Sequence, residues 1–253
     1  MIEVLNLSKC FSDKKRGLVR AVDGLTFQCR PGEIYGLLGP NGAGKTTTLR
    51  ILSTVLQPDA GTASVAGFDV LKQPDQVRRR IGFLSGDTGL YRRLTGREIL
   101  RYFASLYGLP RGEFDQRLKE LSGTLTMGDF LDVKTDKLST GQKQRISIAR
   151  TMIHDPPVLI LDEPTAGLDV ISSHAIIQFI ADAMRAAKTI VFSTHVMREA
   201  ERLCDRIGII HQGRLVAQGT IAQLRAHFAC DDLEEVFMRA VGLAPAAVRS
   251  PSA

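Results

Sequence analysis

The stretch Gly39, Pro40, Asn41, Gly42, Ala43, Gly44, Lys45, Thr46 and Thr47 constrains this chain more than any other. It fits the pattern Gly, four residues, Gly-Lys-Thr. A Pro-Gly turn and a short apolar run over 33–38 precede it, and 47–52 read as helix. Gly39, Gly42 and Gly44 let the backbone turn tightly, so that successive N–H groups converge at a helix N-terminus and cradle a polyphosphate. Lys45 adds a point charge for the outer phosphates, and Thr46 offers a hydroxyl to Mg2+.

The remaining chain alternates in a way that predicts an α/β fold. Residues 1–29 read as β-structure, with alternation over 25–29 and a charged turn over 13–17 beside Phe11. Short strands are expected over 64–69 and 81–84. Thr95 and Glu98 have capping-box spacing, and Ile99, Phe103, Leu106 and Tyr107 follow at helical intervals until Gly108 and Pro110. A second amphipathic helix carries Phe114, Leu118, Leu121 and Leu125. These helices predict an inserted helical subdomain over roughly 88–154 within one domain spanning 1–242. Val158 to Leu161 is a continuous apolar run, as expected of a parallel strand buried on both faces, and such strands end at a ligand crevice. A helix over 170–187, a strand over 189–193, another helix and a hairpin about Gln212-Gly213 complete the alternation. A C-terminal helix is expected over about 231–241, and the Ala/Pro/Ser-rich end, 243–253, reads as a disordered tail.

Hydrolysis of a phosphoanhydride needs a metal bridging phosphate oxygens, a group orienting water, and donors that meet developing charge. Asp162 ends the buried strand and can hold Mg2+ together with Thr46. Glu163, one residue on, is the candidate general base. Ser139, Thr140, Gly141 and Gln142 open a helix whose N-terminus is a second anion site. His195 follows an apolar strand and can donate toward phosphate. Phe11 can stack on a base, although a lone Phe is more often core.

Bulk properties remove some classes. With 253 residues and 44% hydrophobic content the chain can bury one large core. No run reaches the roughly 18 to 20 apolar residues that cross a bilayer, so a membrane role has to come through a partner. The acidic start of the N-terminus does not suit a signal peptide, and a cytosolic protein is expected. The 4 cysteines (Cys10, Cys29, Cys204, Cys230) lack Cys-x-x-Cys spacing, which argues against zinc. The formal charge is +6. Within it, residues 71–120 hold 11 Lys/Arg against 6 Asp/Glu, a surface that suits nucleic acid, anionic lipid, an acidic partner, or simply solvent.

Taken in order, the motifs resemble those of the ATP-binding subunits of ABC transporters over essentially residues 1–240. The resemblance implies a P-loop ATPase core with an N-terminal antiparallel β-subdomain and a helical insertion. Gly39 to Thr46 then corresponds to the Walker A loop, and Leu138 to Gln142 to the signature, with Thr140 where Gly is commonest. Val158 to Asp162 is similar to Walker B, Glu163 to the catalytic glutamate, Asp169 to the D-loop aspartate, His195 to the switch histidine and Phe11 to the A-loop aromatic. It further implies ATP and Mg2+ as ligands and a head-to-tail dimer, of one gene or two, in which Ser139 and Gly141 act in trans. The implied partner is a membrane permease, at the cytoplasmic face of the cell membrane. Gly86 stands where the family places a metal-contacting glutamine, and Asp87 beside it is the candidate substitute. The stretches 86–98, 154–157 and 192–197 look most like the sodium-exporter group of ABC-2 type exporters, implying export of Na+ or a drug. The rival reading, a soluble ATPase of this family acting on DNA or the ribosome, lacks the paired cassettes, coiled-coil arm or zinc cysteines expected of it.

Overall fold

The computed structural model describes residues 1–13, 17–86 and 89–243. In chain order these form β1 (Ile2–Asp13), β2 (Gly17–Cys29), β3 (Ile34–Leu38), α1 (Lys45–Leu52), β4 (Ala60–Val65), β5 (Phe68–Asp69), α2 (Pro74–Arg80) and β6 (Ile81–Leu84). Three helices follow, α3 (Gly96–Leu106), α4 (Arg111–Thr124) and α5 (Thr140–Met152). The rest is β7 (Val158–Asp162), α6 (Val170–Arg185), β8 (Thr189–Thr194), α7 (Met197–Leu203), β9 (Arg206–His211), β10 (Arg214–Gly219), α8 (Ile221–Phe228) and α9 (Leu233–Ala240). Phe11 lies inside β1, opposite Val19, so the strand runs further than the charged turn suggests.

Among the described residues the strands form two sheets. One is antiparallel, in the order β2-β1-β4-β5; the other has the order β10-β9-β3-β8-β7-β6. In the second, β3, β6, β7, β8 and β9 run parallel, and only β10 reverses, through the turn at Gln212 and Gly213. The register decides where the chemistry falls. Leu38 pairs with Thr194, and Asp162 pairs with Ser193. Three adjacent strands therefore end level, and the loop after β3, the carboxylates at the end of β7 and His195 after β8 emerge along one edge. That edge is the crevice where parallel sheets bind ligands.

All five residues of β7 are buried, and they alternate between two cores. Val158 and Ile160 face a core shared with α1 and the antiparallel sheet. Leu159 and Leu161 face the opposite core, with Ile146, Ile148, Ile176 and Ile180. Each such side chain contributes about 1.5–3 kcal/mol on burial. The second core continues into α3 and α4 through Leu100, Phe114, Leu118 and Leu121. α3 starts where Thr95 and Glu98 close a capping box, with Thr95 N–H donating to Glu98 at 2.8 Å and Glu98 N–H donating to Thr95 Oγ1 at 3.2 Å. Among the described residues no helix is long and apolar enough to cross a membrane.

Candidate active site

The glycine-rich loop has its shape imposed by close packing. A Cβ on Gly39 would stand 2.3 Å from the Ile210 carbonyl oxygen, and one on Gly44 would stand 2.3 Å from that of Ala21. Gly44 also has φ 108 and caps α1. Thr48 N–H donates to Gly44 O at 3.0 Å, the first bond of the helix. The N–H groups of Lys45, Thr46 and Thr47 precede it and lack intrahelical acceptors, which is the donor set an anion needs. Phe11, Asn41 to Thr47 and Glu163 line a cavity of about 230 Å3 over this helix end. Phe11, 40% exposed, stands at its rim, and Lys9 Nζ lies 5.8 Å from the ring centroid. Pro40 lies at the exposed start of the loop.

Lys45 is only 4% exposed. Its ammonium donates to the carbonyls of Gly39 (2.7 Å) and Pro40 (3.1 Å) and sits 3.2 Å from Glu163 Oε1. The other Glu163 oxygen lies 3.2 Å from His195 Nδ1, whose side chain is 47% exposed. Glu163 thus stands between a fixed cation and a histidine that solvent can reach. Its own backbone is unusual, with φ 46 in the left-handed region. Strain of this kind costs of order 1–3 kcal/mol and concentrates at functional sites. Two bonds hold it: Glu163 N–H donates to Ser193 Oγ at 3.0 Å, and Ala166 N–H donates to Glu163 O at 3.1 Å.

Asp162 is buried, and one of its oxygens accepts from Thr46 Oγ1 (3.1 Å) and from Ser193 Oγ (2.7 Å). One carboxylate beside one hydroxyl, next to a polyphosphate cradle, is a hard-oxygen donor set that fits Mg2+, which keeps waters and phosphate oxygens as its other ligands. Among the described residues no cluster of three His, Cys, Asp or Glu could hold a metal unaided. Gly86 approaches this corner, since a Cβ there would be 3.7 Å from the Asp162 carbonyl oxygen. Asp87 lies outside the described residues.

Other sequence-derived candidates gather elsewhere. Ser139 caps α5 in a box with Gln142, Gln142 N–H donating to Ser139 Oγ at 3.2 Å and Ser139 N–H to Gln142 Oε1 at 2.9 Å. Ser139 and Thr140 are exposed. Gly141 packs so closely on Ser172 that a Cβ would meet its Oγ at 2.4 Å. Ser172 in turn donates its hydroxyl to Asp169 at 2.9 Å, and Asp169 caps α6. The signature residues and Asp169 therefore form one group, and they do not line the cavity over the glycine-rich loop. Two residues that sequence reasoning passed over belong to the site. Ser193 joins Asp162 to the Glu163 backbone, and its only signal is a polar residue ending an apolar strand. Gln144, on α5, donates to the Pro164 carbonyl at 2.6 Å and so ties the signature helix to the turn after Glu163.

Known proteins agree with this geometry. The ABC transporter family pattern matches residues 22–166. The chain is 43% identical over 239 residues to the ABC transporter ATP-binding protein NatA of Bacillus subtilis, covering 94% of this chain and 97% of that one. It is 40% identical to the Nod factor export ATP-binding protein I of Burkholderia lata, over 92% of this chain and 75% of that protein. A dimeric ATP-binding cassette solved in a post-hydrolysis state with ADP and Pi superposes with a TM-score of 0.78 at 26% identity, covering 87% of this chain and 98% of that one. With the cavity, the carboxylate pair and these relatives in agreement, the chain belongs to the ABC transporter family as an ATP-binding subunit, and it is an ATP hydrolase.

Proposed function

We propose that this chain energises an exporter, hydrolysing Mg2+-ATP within a head-to-tail pair of ATPase subunits docked on a separate ABC-2 type permease at the cytoplasmic face of the membrane. One observation carries the hydrolytic part: Glu163 stands at the mouth of the phosphate cavity, 3.2 Å from both Lys45 and His195, and is covalently next to Asp162.

The N–H groups of the loop and Lys45 bind the phosphates, and Phe11 stacks on the base. Thr46 and Asp162 would hold Mg2+, which would neutralise charge on the phosphates during transfer. Glu163 takes a proton from the attacking water as its oxygen bonds to the γ-phosphorus, and the bond to the bridging oxygen breaks toward ADP. A positioned base of this kind is worth roughly 100- to 10,000-fold. His195 hydrogen-bonds the γ-phosphate. Separation of the signature group from the cavity supports completion of the site by Ser139, Thr140, Gly141, Gln142 and Asp169 of a second subunit, and the dimeric form of the ADP-bound relative supports the same reading.

The permease reading has its own support on the far side of α3. Arg150 is 8% exposed, with its guanidinium carbon 5.2 Å from the Phe103 ring centroid, in a cavity of about 220 Å3. It has no carboxylate partner among the described residues, and burial depresses its pKa. Exposed Tyr91, Tyr102, Leu106 and Tyr107 belong to the same helical region. A buried cation beside exposed aromatics suits an acidic, partly apolar segment of a membrane partner. Cargo is a property of that permease. Na+ or a drug is our reading for it, from the resemblance of 86–98, 154–157 and 192–197 to the sodium-exporter group; the Nod factor relative carries export in its name.

Purified full-length protein tests the chemistry. With Mg2+-ATP it turns over, Lys45→Ala abolishes turnover, and Glu163→Gln binds ATP while losing about 100-fold or more of its rate. Brisk hydrolysis by Glu163→Gln removes Glu163 from the base role. Gentle-detergent pull-down from native membranes tests the rest: a stoichiometric polytopic protein is expected, whereas ribosomes or nucleic acid alone overturn the transport assignment.

A further inference from the structure

Glu199 lies on α7, away from the phosphate cavity, and is only 8% exposed. Both of its carboxylate oxygens are occupied. Oε1 accepts from the Thr165 hydroxyl at 2.5 Å, and Oε2 accepts from the Thr194 hydroxyl at 2.7 Å. The two donors are 29 positions apart in sequence, one in the turn after β7 and one at the end of β8, and each lies within two residues of a residue of the active site. Thr165 is two residues beyond Glu163, in the turn that Ala166 N–H closes onto Glu163 O at 3.1 Å and Leu168 N–H closes onto Thr165 O at 3.2 Å. Thr194 immediately precedes His195. Its hydroxyl also accepts from Val196 N–H at 3.0 Å, and its carbonyl accepts from Gly39 N–H at 3.3 Å.

We infer that Glu199 is a positioning residue for hydrolysis: one buried carboxylate clamps the turn bearing Glu163 to the strand end bearing His195 and thereby fixes their mutual geometry. Hydroxyl bonds to a carboxylate at 2.5 and 2.7 Å are short, which suits a clamp between a turn and a strand end. Nothing else among the described residues links the Thr165 and Thr194 hydroxyls. Glu163 needs such support, because its left-handed backbone is not self-sustaining, and His195 is otherwise on an exposed loop. The inference rests on the proposed roles of Glu163 and His195, and Glu199 itself touches neither phosphate nor water in it.

The test uses full-length protein, with steady-state hydrolysis of Mg2+-ATP and ATP affinity measured separately. Glu199→Ala is expected to lower kcat by about 10- to 100-fold, the scale of a misplacement near 1 Å, while ATP affinity stays within about 3-fold. Glu199→Gln keeps an acceptor for Thr194 and offers an N–H to a rotated Thr165 hydroxyl, so it recovers most of that loss. In a His195→Ala background Glu199→Ala adds less than about 3-fold, because the geometry it protects is already gone. Thr165→Val removes one arm of the clamp without touching the carboxylate. It covers the case in which the alanine variant does not fold, with an expected loss of about 3- to 10-fold in kcat. An unchanged kcat in Glu199→Ala or Thr165→Val, a parallel loss of ATP affinity, or losses that multiply fully with His195→Ala would each overturn the inference. Wild-type turnover by Glu163→Gln, by contrast, overturns the underlying assignment of the base.

Discussion

Substituting alanine at two glycines of the same loop separates backbone strain from collision. Gly42 has φ 80 and Gly44 has φ 108, so each alanine is placed in a region that L-residues disfavour. That alone costs roughly 1–2 kcal/mol. At Gly42 nothing lies within 4 Å of the new methyl. At Gly44 the methyl would stand 2.3 Å from the Ala21 carbonyl oxygen, against 3.4 Å for an ordinary contact, so something has to move by about 1 Å. β2 is poorly placed to yield, since it pairs along β1 and Asp23 N–H donates to Gly213 O at 2.8 Å. The loop gives way, and the N–H groups at the start of α1 lose their convergence. Thermal melting with and without Mg2+-ATP reads both effects. For a chain of this size 1 kcal/mol corresponds to about 2–4 °C. Gly42→Ala is expected to lower Tm by about 2–8 °C and to keep most of the rise that ATP produces. That rise corresponds to about 2.7 kcal/mol at 100 times Kd. Gly44→Ala is expected to melt lower still and to lose at least about half of the ATP-induced rise, which is at least a tenfold loss of affinity. An ATP-induced rise equal to wild type in Gly44→Ala would refute the packing argument.

Other consequences can be measured singly. Ser193→Ala removes a hydroxyl that donates to Asp162 and accepts from Glu163 N–H. Unfolding experiments are expected to show a loss of about 1–3 kcal/mol, with turnover falling more than ATP affinity. His154 is stacked on Tyr107 at 3.6 Å and bonded to Ile81 O at 3.0 Å, and burial pushes its pKa down from 6.5 to about 4. Between those values the unfolded chain binds a proton that the folded one refuses, so stability falls as pH drops from about 6.5 to 4, by up to about 3 kcal/mol. His154→Gln flattens that limb of the pH–stability curve, and an unchanged limb would contradict the assignment. Arg150→Met removes a buried charge that has no carboxylate partner among the described residues. It is expected to leave the isolated subunit as stable or more so, while weakening co-purification with a permease.

How much of this could be read without coordinates follows from what the chemistry depends on. The glycine-rich loop before α1, the strand ending at Asp162, the capping box at Thr95 and the helix opened by Ser139 are local patterns, in which spacing alone fixes geometry, and the sequence reading of these elements matches the structure. Level strand ends are not local: that Asp162 faces Ser193 and Leu38 faces Thr194 is a fact of register. Sequence order put the motifs on one edge but could not pair them. Ser193, Gln144 and Glu199 stayed invisible because each acts through a bond to a residue at least 20 positions away, and no short-range period records such a bond. The left-handed backbone of Glu163 was equally hidden, since a non-glycine residue carries no sequence mark of positive φ.

Sedimentation of the Glu163→Gln chain, with Mg2+-ATP and with Mg2+-ADP, tests the central claim most directly. The account predicts dimers with ATP, monomers with ADP, and loss of the ATP-dependent dimer when Ser139→Arg is added, because in the proposed head-to-tail pair Ser139 closes the partner's nucleotide site. A chain that binds ATP yet stays monomeric, or a dimer indifferent to both nucleotide and Ser139→Arg, would contradict it.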